Sequence, residues 1–166
     1  MPQPLGYFNQ RLTRCMKHLP DPNKCDSSLL TLKGHLLVEE VLQDLIALAC
    51  KDSSAVSEIE LSFFLKVRLA RALHGTQLDG GYEIPSYTWD AAEALNSLRN
   101  EYAHRLEGPN VEKKLQRFLT IALQECADPL DGKSTEKKLW LAIDFLICVL
   151  TSLEAHAKAS VKKSGA

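Results

Sequence analysis

The stretch Leu98-Arg99-Asn100-Glu101-Tyr102-Ala103-His104 sets a guanidinium, a carboxamide and an imidazole within one short segment. These are groups that can cut RNA. RNA cleaves itself when a 2′-hydroxyl attacks the adjacent phosphate, so a protein need only move protons and neutralise the charge that develops. An imidazole with a pKa of about 6.5 suits the proton transfers at neutral pH. An arginine offers forked donors to phosphate oxygens. Asn100 would orient the helix end and the scissile phosphate. This chemistry calls for no metal and no cofactor, and no CxxC pair or HExxH motif is present. Arg followed by His at this distance is common by chance, and Arg68 to His74 is a second instance. Requiring Asn directly after the Arg lowers the chance expectation to about 0.02 in a chain of this composition.

The segment closes a predicted helix from about Tyr87 to His104, just before Gly108-Pro109. At 100° per residue, Ala91, Leu95, Leu98 and Tyr102 share the core side, and Asn96, Arg99, Asn100 and His104 follow around the remaining arc. The carboxy-terminal end of a helix favours a protonated imidazole. Arg99 and His104 lie about 140° apart on an ideal helix. They converge only if the last turn unwinds, or if a two-fold homodimer sets two such strips face to face and supplies a second histidine. A second reading stays open. Any surface helix shows a polar arc opposite its apolar stripe, with Arg99 paired to a neighbouring acid and His104 closing the helix.

Arg99-Asn100-Glu101-Tyr102-Ala103-His104, late in a small helical chain, resembles the signature of HEPN domains. The resemblance implies an all-α, commonly homodimeric domain and, in many members, a metal-independent endoribonuclease acting as a toxin or defence effector. The site residues it implies are Arg99, Asn100 and His104. An antitoxin or operon partner is implied as well. Phe64-Leu65-Lys66-Val67-Arg68-Leu69-Ala70, ahead of a Leu-Arg-Asn-x-x-Ala-His helix, is similar to the mannitol-operon-repressor-like branch, whose members are treated as regulators. Some toxin members carry a Tyr two residues after the His, which a partner enzyme modifies. Leu106 stands there in this chain.

The elements that must position these residues follow from composition and punctuation. Leu and Ala number 44 against 13 for Val and Ile, which favours helix over sheet. With 166 residues, 45% hydrophobic and 25% charged, the chain is expected to be one globular domain. Helices are predicted over about 7–19, 28–50, a third opening at a Ser57/Glu60 capping box and ending at Gly75, 87–104, a fifth capped by Asn110, and 135–157. The third is expected to bury a Leu61-Leu65-Leu69-Leu73 stripe. The loop 76–86 is expected to hold an extended piece around Tyr82–Ile84. The predicted architecture is a single-domain bundle of five to six helices over 1–157, with a flexible tail over 158–166.

Net charge is −1, so RNA would have to meet a local basic patch. Arg68, Arg71, Arg105 and Lys113 are candidates, with a further rim from Arg11, Arg14 and Lys17. His35 and Glu39 read best as an ion pair on a helix surface. Asp144 needs a cation partner, and Arg99 is one candidate. Trp89 and Trp140 read as core anchors. The apolar run Leu139–Leu150 is short of a bilayer span, so no membrane partner is expected. Its apolar girth suggests either the bundle core or a dimer interface shared with the Tyr87–His104 helix. Reduced, widely spaced cysteines and no apolar leader point to the cytoplasm.

Overall fold

The computed structural model describes residues 4–78, 81–105, 107–127 and 129–164. Its chain order is α1 (Pro4–His18), α2 (Ser27–Ala49), α3 (Ser53–Ser57), α4 (Phe63–His74), β1 (Gln77–Leu78), β2 (Tyr82–Glu83), α5 (Thr88–His104), α6 (Pro109–Ala122) and α7 (Thr135–Ser164). The fold is an all-helical bundle of seven helices among the described residues. The only ladder there is β1–β2, antiparallel, with Gln77 opposite Glu83 and Leu78 opposite Tyr82. It corresponds to the extended piece expected in the 76–86 loop.

Helix α2 is central, packing against α7, α4 and α5. Asp26 caps its start by accepting from the Leu29 N–H at 2.7 Å. Of the stripe that the periodicity predicts, Leu30, Leu37, Val41, Leu45 and Leu48, the first four are buried and Leu48 is half-buried, and a second line, Val38, Leu42 and Ile46, is buried too. Two buried lines on one helix mean neighbours on more than one side. The face toward α7 includes Gly34. A Cβ there would stand 2.7 Å from both Cγ2 and Cδ1 of Ile143, which is itself fully buried.

A charged knot ties α1 to the bundle. Arg11 was expected in solvent but is 7% exposed. Its Nη1 donates to Glu40 Oε1 at 2.8 Å and its Nη2 to Asp44 Oδ2 at 2.7 Å. Its Nε lies 3.4 Å from Glu154 Oε2, in ion-pairing range but too poorly aligned for a hydrogen bond. Glu154 is fully buried on α7 and also accepts from Tyr7 and Lys158. Helix α7 runs on to Ser164, past the boundary at 157 where a flexible tail was expected.

Two boundaries correct the sequence reading. The third predicted helix is capped by Ser62 and not by the Ser57/Glu60 box. Ser57 ends α3, its hydroxyl donating back to the Ser54 carbonyl. Helix α4 starts after Ser62, whose Oγ accepts from the Leu65 N–H at 3.3 Å. The buried face of α4 is therefore Phe63, Val67 and Ala70, while Leu65, Leu69 and Leu73 face solvent. Helix α4 carries more than one apolar line, and the buried one is that of Phe63, whose ring stacks on His35 of α2. Helix α6 is capped by Gly108 with Pro109 at its first position, so Asn110 lies inside it. As expected, Gly75 closes α4, with φ +62°.

One side of the apolar girth of α7, Leu139, Ala142, Ile143, Leu146, Ile147 and Leu150, is buried in the core of this chain, while Leu141, Phe145 and Val149 are half-buried. Its stretch Thr135–Val161 is the one described segment long and apolar enough to cross a membrane, and its most apolar window is 56% buried. Trp89 is fully buried, whereas Trp140 packs only partly on the core, with Lys137 Nζ 4.6 Å from its ring centre.

Two substitutions test this packing. Gly34→Ala in an ordinary helix interior gains about 0.5–1 kcal/mol. Here overpacking against Ile143 costs about 1–3 kcal/mol, so urea denaturation should show net destabilisation; a stabilised variant would refute the close contact. Arg11→Leu leaves Glu154 buried with Lys158 as its remaining cation. Removing one partner of a buried pair costs about 3–5 kcal/mol, and the loss should fall near the lower figure.

Candidate functional site

Helix α5 places its polar strip beside α2 and the first turn of α4. A cleft of about 360 Å³ opens there, lined by His35, Glu39, Ser62, Phe63, Phe64, Asn96, Arg99 and Asn100. Arg99 Nη1 donates to Asn100 Oδ1 at 3.2 Å. Arg99 also lines a smaller cleft of about 230 Å³ with Thr31, Leu32, Tyr102 and Ala103. The guanidinium thus stands between two hollows on the same flank of α5.

His104 does not line either cleft. It is exposed at the last turn of α5, and Arg105 caps that helix. The structure brings Arg99 and Asn100 together and leaves His104 apart, as their angular separation on the helix requires. Position 106, two residues further on, lies outside the described residues.

The imidazole in the cleft is His35. It is 5% exposed and stacks on Phe63, with ring centres 4.0 Å apart. Its Nε2 lies 3.1 Å from Asn96 Oδ1. A carboxamide oxygen only accepts, so Nε2 carries the hydrogen. The buried Nδ1 then presents a lone pair, with no hydrogen-bond partner among the described residues. Burial pushes this imidazole below its usual pKa; nearby Arg99 and Lys66 push the same way, while Asn96 and Glu39 oppose. His35 is held neutral.

The surface ion pair expected between His35 and Glu39 does not form. Glu39 pairs with Lys66 of α4 at 2.9 Å, because His35 turns inward with Val38 and Leu42. Its spacing from those two residues, i+3 and i+7, was the signal in the sequence. Asp144 is likewise not paired with Arg99. It lies on α7 with Cys148 Sγ 3.7 Å away, and burial raises its pKa.

The basic residues divide. Arg68 is tied to Glu93 at 2.8 Å and lies over the Phe64 ring, 5.0 Å from its centre. Arg11 is buried in its knot and unavailable to a ligand. Arg71, Arg105 and Lys113 are exposed. Glu101, outside the polar arc, pairs with Lys114 of α6, 2.6 Å away, which lowers its pKa. Among the described residues no three His, Cys, Asp or Glu side chains are grouped to hold a metal.

Comparison with the models of known families, with curated proteins and with solved structures finds no match to this chain.

The neutral state of His35 predicts a pH dependence. Its folded pKa is depressed, so its contribution to stability is present above about pH 6.5, the unfolded value. It is lost as pH falls through that value toward the folded pKa, because the unfolded chain takes up the proton first. Melting temperatures measured from pH 7.5 to 5.5 should fall in the parent and fall less in His35→Gln. Equal slopes would show that His35 is not held neutral.

Proposed function

We propose that this chain is a metal-independent endoribonuclease of HEPN type, a toxin or defence effector working as a homodimer in the cytoplasm. The observation that carries the reading is Arg99, hydrogen-bonded to Asn100 and lining a cleft of about 360 Å³. Arg99 would stabilise the phosphate, Asn100 would orient it, and His104 would transfer protons. His104 and Arg99 do not meet within one protomer, so the reading requires a partner copy to bring its own His104 across.

The fully buried side of α7 is core, which leaves its half-buried residues Leu141, Phe145 and Val149 to the interface expected there. Exposed apolar residues also stand on the two helices beside the α5 strip: Leu32 and Leu36 on α2 and Leu65 on α4. A two-fold axis near α5 would cover them. RNA would reach Arg71, Arg105 and Lys113 from outside.

A second reading is a non-catalytic regulator or partner-binding module resembling mannitol operon repressors. The solvent-facing leucines of α4 favour it, because an antitoxin or operon partner could cover them as well as a second copy.

RNA cleavage by the purified protein separates the two. The nuclease reading expects products with a 2′,3′-cyclic phosphate and a 5′-hydroxyl, formed equally well in EDTA. Arg99→Ala and His104→Ala should each lower the rate by about 10²–10⁴ while keeping the helical spectrum. Glu101→Ala should retain cleavage, with some loss of stability from the Lys114 pair. If His104→Ala cuts RNA as well as the parent, the catalytic assignment is wrong. Light scattering should show a dimer, and a monomer at high micromolar concentration would remove the second histidine and the mechanism with it.

A further inference from the structure

The cleft between α2, α4 and α5 contains more than the Arg99–Asn100 pair explains. Three features have no role in the proposed cleavage. The first is Phe64, 46% exposed at the cleft edge. An aromatic ring on a surface is a costly thing to leave wet, and this one is also ordered by the Arg68 guanidinium, which Glu93 in turn holds. The second is Asn96, whose Oδ1 is engaged by His35. Its Nδ2 donors are then left for the cleft, beside Arg99. The third is His35 itself, a buried neutral imidazole with an unpartnered Nδ1, forming part of the cleft wall. A buried polar side chain that leaves one nitrogen unsatisfied sacrifices stability. Here it fixes the orientation of Asn96.

A flat apolar ring beside amide and guanidinium donors matches one chemical unit, a nucleotide with its base unstacked. Bases stack on aromatic side chains irrespective of sequence, and the phosphate beside the base accepts N–H donors. We propose that this cleft is a nucleotide subsite for single-stranded RNA. Phe64 stacks on a base next to the scissile phosphate, and Asn96, held by the positioning residue His35, donates with Arg99 to phosphate oxygens. The inference rests on the ribonuclease reading for its choice of RNA, but its test does not need cleavage. A base in a duplex is paired and stacked on both sides, so the subsite accepts single strands only. Glu39 does not repel the phosphate, because Lys66 neutralises it at 2.9 Å.

The probe is a fluorescein-labelled single-stranded RNA octamer with 2′-O-methyl riboses, which cannot supply the attacking hydroxyl. Fluorescence anisotropy should show saturable binding to the parent protein. Phe64→Leu should weaken it about 5- to 100-fold, the usual cost of one lost base–aromatic stack, and Phe64→Tyr should restore it. Asn96→Asp keeps the acceptor for His35 and turns the donors into a negative charge, so binding should fall at least as far. His35→Gln should weaken binding, and Asn96→Asp supplies the answer if that variant fails to fold. A blunt duplex of the same sequence should not compete. The subsite is overturned if the parent does not bind the octamer, if Phe64→Leu and Asn96→Asp bind it as the parent does, or if the duplex competes equally. Parent protein that binds the octamer through Phe64 and Asn96 yet cuts no unmodified RNA upholds the subsite and refutes the nuclease.

Discussion

At Gly34 the backbone of α2 lies so close to α7 that a single added carbon would meet Ile143 at 2.7 Å. Helix α2 is enclosed by α7, α4, α5 and α1, so its distance from α7 sets where its other faces point. The residue after Gly34 is His35. With the backbone seated against Ile143, that imidazole is directed at α5 and meets Asn96. One turn on, Glu39 reaches Lys66 of α4. The close contact thus fixes the wall of the cleft in which Arg99 stands. Glycine is costly inside a helix because it gives up more backbone freedom than other residues. The cost is offset by what the close approach allows on both faces.

The second constraint is electrostatic. Glu154 is fully buried, and an isolated carboxylate in that position would be expensive. Arg11, Tyr7 and Lys158 surround it, while Arg11 extends its other nitrogens to Glu40 and Asp44. One guanidinium thereby joins α1, α2 and α7. Such a knot costs desolvation and adds little net stability over a well-packed apolar cluster. What it supplies is placement: α1 has one docked position in which every charge is met. The same arrangement takes Arg11 away from any RNA-binding rim.

The distribution of charge around α5 has a consistent logic. Arg68 is occupied by Glu93 and Phe64, Glu101 by Lys114, and Glu39 by Lys66. Among the described residues, the cleft's charged side chain without an ion pair is Arg99, whose partner is a neutral amide, Asn100. An arginine beside carboxamides keeps its charge available to an incoming anion, whereas one beside a carboxylate does not.

Much of this was legible in the sequence. Periodicity and proline spacing were enough for the helical class, most helix positions, the buried side of α5 and the stop at Gly75, because these depend on local geometry repeated every 3.6 residues. The residue types of the candidate site, Arg99, Asn100 and His104, were also readable, as was their divergence around the helix. Tertiary packing decided the rest. Helix α4 carries competing apolar stripes, and the buried one is that whose Phe63 stacks on His35 of α2. Arg11 looked like any surface arginine until α7 presented Glu154, 143 positions away in the chain. His35 and Glu39 looked paired because they are one turn apart on one helix. They separate because α5 and α4 each offer a better partner, and neighbours from distant segments leave no trace in local spacing.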